Sequence, residues 1–515
     1  MEPHRALFCC DILDEIFQHL SPEDEADAIK GFALRRAACV SRTFYGFASD
    51  VLWRKVHTTG QIRHLLITLG IAEEVGCQYR GVKLVKCQKI SDKSLLRFRQ
   101  YAARVRSITP KIISDEDWLS LCPLSGHGKL MIFPNLQSVK VVFSGSPSML
   151  KLRSLLITPS LRDLSVECAS REACESGMRA TFNEVCSAVP SLESVTVGIL
   201  SRPDLLSPIL RLSHLSKLDL MVSMNGNRDL LRSLSTRKNI TSLFLRFKLE
   251  PHHGDFSICG FASLHELGIN GTLQNAKTML AGLESRYIES VTVDVLTAKN
   301  RVDDLQDCLE PLRRHHGSLR RLKFSVLARY GSKEDTLINA IAPVMKMKRL
   351  REIKLEFPGW KLRCSQQEFR KIAEAWPDVR SLALKYDLLA TSPCVPRGSV
   401  VDLGSVFYLA QRCRKLEKLQ LEFVACPKPI SLGEHPRCTL RELHINNIFG
   451  IEPCGSDDIM RDLPTGPEDY GGVAGGTLPS IGISEEGTRG DEIKYWRTDC
   501  VSSNSGRRNA RQWFG

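Results

Sequence analysis

The sequence predicts an α/β solenoid: a short N-terminal group of three helices, then an irregular array of strand-and-return repeats whose strands form a parallel sheet on the concave face. Three observations carry this. A short apolar template recurs twelve times between residues 134 and 448, the stretches between copies have helical apolar spacing, and the opening 57 residues read as amphipathic helices. At 515 residues the chain far exceeds an ordinary single domain, which leaves a multidomain protein or an extended array. Hydrophobic residues at 43% and charged residues at 25% exclude a wholly disordered chain.

The copies are NLQSVKV, SLRDLSV, SLESVTV, HLSKLDL, NITSLFL, SLHELGI, YIESVTV, SLRRLKF, RLREIKL, DVRSLAL, KLEKLQL and TLRELHI. Each reads apolar, two variable, apolar, one variable, apolar. Their first apolar positions, from Leu136 through Leu161, Leu192, Leu215, Ile240, Leu264, Ile288, Leu319, Leu350, Val379 and Leu416 to Leu440, lie 23 to 37 residues apart. The closing apolar, polar, apolar triplet, as in Leu218, Asp219 and Leu220, is the period-two pattern of a strand with one buried face. One such strand buries little; stacked in parallel, the apolar rows merge into a continuous core. SQQEFRKIAEAW, before Pro377, and SVFYLAQRCRKLEK, before Leu419, are expected as return helices.

These copies resemble leucine-rich repeats over about Pro134 to Ile448. The Asn or Cys that usually follows the strand is mostly missing, with Ser144, Ser223, Lys248 and Thr272 in its place, so irregular turns are expected. Two degenerate copies, one using Tyr79, Val82 and Leu84 and one around Val105 and Ile108, are expected to join the N-terminal helices to the array without a flexible linker.

In the N-terminal segment, DILDEIFQHL places Ile12, Leu13, Ile16, Phe17 and Leu20 on one helix face. Ser21, Pro22 and Glu23 look like the start of a second helix, ending near Ser41. RTFYGFASDVLWRKV supplies a third, with Phe44, Phe47, Val51 and Leu52 as its stripe. So small a unit gains from docking onto the array or onto a partner.

FCCDILDEIFQHL and LRRAACVSRTFYGFASDVLWRKV resemble the two halves of the F-box, over about Ala6 to Val56, and the combination with repeats is most like fungal F-box-like domain proteins. By position, Phe8 stands for the family's leucine, and Cys9 for the proline that starts the first helix and packs on the adaptor. Asp11 matches the acidic position, and Ile12, Leu13, Ile16, Phe17, Val40, Leu52 and Trp53 match apolar ones. The resemblance implies the substrate-recognition subunit of an SCF-type ubiquitin ligase: the F-box binds the Skp adaptor and through it a cullin, and the repeats hold a protein target. It implies adaptor contacts by Phe8, Cys9, Ile12, Leu13, Ile16, Phe17, Val40, Leu52 and Trp53. The rival reading is a non-catalytic scaffold whose F-box-like helices only cap the solenoid.

The expected domains are 1–57, F-box-like; 58–133, degenerate first repeats; 134–450, the repeat solenoid; and 451–515, a Gly- and Ser-rich disordered tail. The net charge is +13, but residues 61–450 alone carry +19. Leucine-rich repeats turn their variable strand positions to the concave side, and here these include Lys140, Met221, Phe244, Arg246, Arg321, Lys323, Lys354, Lys385, Lys418 and His444. That set suits an acidic or phosphorylated target, with Met221 and Phe244 as an apolar anchor. The plainer alternative is a solvated face in which Asp163, Glu167, Glu266, Glu352, Glu356, Glu422 and Glu442 offset the bases.

Nucleic-acid binding is disfavoured because no reading motif accompanies the charge. No metalloprotease, phosphate-loop, serine-hydrolase or nucleotide motif occurs, and the pairs His252–His253 and His315–His316 read as loop or surface residues. Neither enzymatic activity nor a cofactor is expected. The eighteen cysteines are scattered, with Cys168, Cys174 and Cys186 in no zinc-module spacing. With no signal-peptide pattern and no membrane-spanning apolar run, a soluble protein of the cytoplasm or nucleus is expected.

Overall fold

The computed structural model describes residues 9–21, 28–56, 59–77, 81–86, 90–109, 131–143, 156–168, 174–198, 203–222, 228–247, 258–297, 301–328, 335–387, 401–426, 440–450 and 481–482. The chain divides into two compact units, Met1–Leu264 and His265–Gly515.

The first unit opens with α1 (Cys10–His19), α2 (Ala28–Ala38) and α3 (Arg42–Arg54). The α3 start is set by Ser41, whose hydroxyl accepts the Phe44 N–H at 3.2 Å. Leu13, Phe17, Leu34, Ala48 and Val51 form the core of the three helices. Phe17 meets Phe44 edge-on at 5.5 Å and stacks on Phe47 at 6.3 Å. Of the expected second-helix start, Pro22 and Glu23 lie outside the described residues, and α2 ends at Ala38 rather than near Ser41.

Helix α3 runs straight into β1 (Lys55–Val56), followed by α4 (Thr59–Thr68), β2 (Ala72–Cys77), β3 (Gly81–Lys86), α5 (Asp92–Ala102) and β4 (Ser107–Ile108). β1 pairs in parallel with β4, so the sheet begins earlier than the sequence pattern suggests. The expected copy at Val82 and Leu84 is corrected: both lie on β3, which pairs antiparallel with β2 in a separate two-stranded sheet, and Tyr79 is outside the described residues. The expected copy at Val105 and Ile108 does supply a sheet strand, β4.

The unit continues through β5 (Ser138–Phe143), β6 (Asp163–Cys168), α6 (Cys174–Ala188), β7 (Ser194–Val197), α7 (Ser207–Leu210), β8 (Lys217–Val222), α8 (Arg228–Ser235) and β9 (Ser242–Phe247). From β4 to β9 each strand pairs in parallel with the next. The register aligns Val139, Leu164, Val195, Leu218 and Leu243 as one buried row and Val166, Val197, Leu220 and Leu245 as the next.

The second unit holds β10 (Glu266–Thr272), α9 (Leu273–Ala281), β11 (Ser290–Thr297), α10 (Val302–Leu309), β12 (Arg321–Ala328), β13 (Asp335–Thr336), α11 (Leu337–Ile341), β14 (Glu352–Arg363), α12 (Gln366–Ala375), β15 (Ser381–Asp387), α13 (Leu403–Arg412), β16 (Lys418–Cys426) and β17 (Glu442–Gly450). Parallel pairing runs from β10 through β11, β12, β14, β15 and β16 to β17, with the short β13 beside β14. Ile481–Gly482, β18, pairs antiparallel with β17; the remainder of the expected tail lies outside the described residues.

All twelve template segments fall on strands, and their first apolar residues are buried from Leu136 to Leu416, with Leu440 half-buried. Most of these strands start alike. The two residues after the first apolar residue donate their N–H groups to one carbonyl at the start of the preceding repeat: Arg162 and Asp163 to Gln137, and Arg351 and Glu352 to Arg320. This shared ladder fixes the register, because a one-residue slip would turn every buried row to solvent.

The return helices match their sequence signals. In α12, Ser365 and Glu368 form a reciprocal capping box, and Phe369 and Ile372 are buried. In α13, Asp402 caps the Ser405 N–H at 2.8 Å; the helix stops at Arg412, and Cys413 to Glu417 form the turn that leads into β16 at Lys418. Thr272, where a repeat asparagine was missed, caps α9 by accepting the Asn275 N–H at 3.2 Å. Ser144, Ser223 and Lys248 lie outside the described residues.

Candidate functional site: the outer face of the first helix and the exposed strand positions

Helix α1 is apolar on two sides. Leu13 and Phe17 are 1% and 2% exposed and belong to the core, whereas Ile12 and Ile16 stand 45% and 46% exposed, one helical turn apart. Further large apolar side chains lie open here: Val40, at 69% in the turn between α2 and α3, Tyr45 of α3, at 42%, and Phe32 of α2, at 57% with the Arg36 guanidinium 5.1 Å from its ring centre. Phe32 was missed in the sequence because α2 has weak amphipathic patterning.

Cys9 precedes α1 with extended backbone, and its thiol caps nothing; its carbonyl accepts the Leu13 N–H at 3.0 Å. Phe8 lies outside the described residues. Leu52 packs against the helical core, and Trp53 lies 5.2 Å from the Tyr101 ring of α5. Thus Ile12, Ile16 and Val40 are open to a partner, while Leu13, Phe17, Leu52 and Trp53 hold the unit together.

A polar cluster joins α3 to α5. Arg104 pairs with Asp50 at 2.6 Å, and the Tyr45 and Tyr101 hydroxyls are 2.5 Å apart. The Tyr101 bond lowers the Tyr45 hydroxyl pKa, while burial, then the Tyr45 bond, raises that of Tyr101. The backbone completes the joint: the Arg106 N–H donates to the Arg54 carbonyl and the Thr109 N–H to the Val56 carbonyl, each at 2.9 Å.

On the exposed strand positions, most of the expected bases meet an acid. Lys140 pairs with Glu167 at 2.6 Å, Arg246 with Asp219 at 2.6 Å, Arg321 with Glu266 at 3.1 Å and Lys418 with Glu442 at 2.7 Å. Lys354 and Lys385 share Glu356, at 3.1 and 3.3 Å. Lys323 and the exposed His444 have no such partner among the described residues. Burial raises the Asp219 carboxyl pKa against the opposing pull of Arg246. Met221 is half-buried in register with Arg246, whose guanidinium lies 5.6 Å from the Phe244 ring centre; the expected apolar anchor is therefore partly covered by charge.

Among the described residues no group of three His, Cys, Asp or Glu side chains is placed to hold a metal, and no helix is long and apolar enough to cross a membrane. His316 is exposed, as expected. His315 departs from the expected surface placement: it is 6% exposed, because the 3-10 turn Glu310–His315 folds it inward, and its Nε2 has no partner. His252 and His253 lie outside the described residues.

Compared with protein families, residues 10–59 match the F-box-like family model, a span that takes in α1, α2, α3 and β1. No curated protein matches the chain. The chain thus carries an F-box-like domain, a type of module that is typically non-catalytic and binds Skp-type adaptors, followed by large parallel sheet structure with helices.

Proposed function

We propose that this chain is the substrate-recognition subunit of an SCF-type ubiquitin ligase. The single observation that carries the proposal is the pair Ile12 and Ile16, left exposed on the outer face of α1 within the segment that matches the F-box-like family. A helix that spends two large aliphatic side chains on solvent while Leu13 and Phe17 fill its own core has a second apolar face for a partner helix. The Skp adaptor would take that face and link the chain to a cullin. The repeat strands, read as a leucine-rich-repeat solenoid, would hold the target.

The chain makes no bonds in this role. It raises the local concentration of target lysines beside a charged conjugating enzyme, turning a bimolecular search into a local one. The joint of Asp50, Arg104, Tyr45 and Tyr101 serves this function, because a fixed angle between adaptor-binding helix and first strands holds a target in a narrow set of positions.

The test is adaptor capture. Ile12→Asp with Ile16→Asp should lower capture by the Skp adaptor by tenfold or more, with an unchanged circular dichroism spectrum and melting temperature. Phe17 must stay intact, since its replacement would unfold the helices and mimic a binding defect. The same joint also favours a second reading, in which the helices merely cap the sheet. Failure of the wild-type chain to bind the adaptor would select it.

A further inference from the structure

We propose that the edge of the second unit's sheet at which its strands begin is a docking site for an oxyanion-bearing segment of a protein target, gripped by Arg320, Arg351 and Arg380. This rests on the receptor reading above and gives it a target chemistry and a place.

The three arginines occupy the same position, one residue before β12, β14 and β15. The Arg351 N–H donates to the Arg320 carbonyl at 2.8 Å and the Arg380 N–H to the Arg351 carbonyl at 2.7 Å, so they stand on directly adjacent chains. Parallel strands are about 4.8 Å apart, and like charges at that spacing repel. On the exposed strand positions the fold relieves such repulsion with acids, as in Lys354 and Lys385 around Glu356. Along this edge it does not.

Arg351 and Arg380 are exposed, and neither has an ion-pair partner among the described residues. The carboxylate in the field of Arg351 is Asp378, which is engaged by Lys415 at 2.8 Å. The Arg320 guanidinium donates to the Arg349 carbonyl and that of Arg349 to the Gly317 carbonyl, at 3.4 and 3.1 Å, which fixes both cations at the edge without cancelling their charge. Lys348 adds another exposed cation, and Glu352 in the neighbouring row is the nearest acid in sequence. At the arginines' own ladder position, the acids Glu289 and Glu417 flank the row and do not interrupt it.

Three arginines on adjacent strands span about 10 Å. That length suits one phosphate or two carboxylates of a short extended segment, which guanidinium groups engage by charge-assisted, often bidentate, hydrogen bonds. On the same edge, toward β10, Tyr287 is 62% exposed and stacks on His265 with ring centres 5.7 Å apart, an aromatic platform for a neighbouring apolar side chain of the segment. A nucleic acid would require a longer basic track than this row between two glutamates.

Fluorescence anisotropy of the purified full-length chain tests the site, at about 0.15 M salt to suppress diffuse attraction. The probes are a labelled peptide with adjacent phosphoserines, its unphosphorylated form, a form with glutamate at those positions, and a single-stranded oligonucleotide of matched charge. The phosphopeptide, the glutamate peptide or both should bind, and their ratio tells phosphate from carboxylate recognition. Arg351→Glu with Arg380→Glu should weaken binding tenfold or more, and the gentler Arg351→Gln with Arg380→Gln should weaken it in the same direction if the reversal unfolds the unit. Arg370→Glu with Lys371→Glu, a reversal on the exposed side of the return helix α12, should change it less than threefold. No peptide binding by the wild type, equal losses from the two reversals, or oligonucleotide binding as tight as peptide binding would each overturn the proposal. Adaptor capture is read in parallel: a chain that binds peptide at this edge but no adaptor keeps the docking site and loses the receptor reading.

Discussion

His315 shows how much one side chain's surroundings matter. Burial, and then the nearby Arg314, lower its pKa below the ordinary histidine value, and its Nε2 faces no acceptor or donor. A group depressed in the folded state is neutral there while the unfolded chain takes up the proton. Stability is therefore fully present above the unfolded pKa of about 6.5 and declines as pH falls below it. Melting temperature should drop from pH 7 to pH 5.5 more steeply in the wild type than in His315→Gln, and equal slopes would remove His315 as the cause. The buried thiols need no such caution: burial raises the Cys308 pKa to about 12 and that of Cys413 to about 11, so neither is a nucleophile at neutral pH. The two exposed isoleucines of α1 are legible in the sequence only as apolar; their separation from Leu13 and Phe17 needed α3 in place, since all four fall within one helical stripe.

Individual elements follow local rules closely enough to predict single substitutions. Ser365→Ala removes the hydroxyl that accepts the Glu368 N–H, leaves the residue-365 N–H donating to the Glu368 carboxylate, and should cost about 1 kcal/mol, measured by urea titration. Strand β14 is the exception to the repeat pattern. It runs for 12 residues and breaks register between Phe357 and Lys361, where Gly359 adopts φ +80° and donates its N–H to the Asp387 carboxylate at 2.7 Å. The Trp360 indole there is fully buried and donates to the Val326 carbonyl at 3.0 Å. A Cβ on Gly359 would lie 2.6 Å from the Ala328 carbonyl oxygen. Gly359→Ala should therefore cost roughly 1–3 kcal/mol, from strain in the left-handed region and the clash together. A melting temperature equal to wild type would show that the bulge can relax.

Across the whole chain, charge is arranged rather than merely abundant. The excess of +19 in residues 61–450 looked in the sequence like a basic target-binding face, yet the expected concave-side bases are largely matched by acids on the same strand or one or two strands away. Exposed pairs of this kind contribute little stability, with a median near 0–1 kcal/mol, so their effect is to neutralise the face. The F-box-like helices are joined to the first strands by backbone and side chains together. Arg104→Ala should raise hydrogen-exchange rates in α3 while leaving Skp-adaptor capture within about twofold, because it loosens the joint and spares Ile12 and Ile16. Unchanged exchange in α3 would show that the backbone bonds hold the joint alone.

The repeating apolar template sufficed to place all twelve strands and to indicate their parallel order, because a two-residue period buries the same face wherever it occurs and each copy needs neighbours to do so. The F-box resemblance was equally local, carried by two short runs of residues within the three N-terminal helices. What the sequence could not give were facts of pairing across long separations. The short β1 carries too few residues to show a period, and Val82 and Leu84 share the alternation of a repeat strand yet find their partner in β2. Whether a lysine is free or matched depends on which acid its neighbouring strand brings within about 4 Å. Only the folded register could show that Arg320, Arg351 and Arg380, some thirty residues apart along the chain, stand side by side.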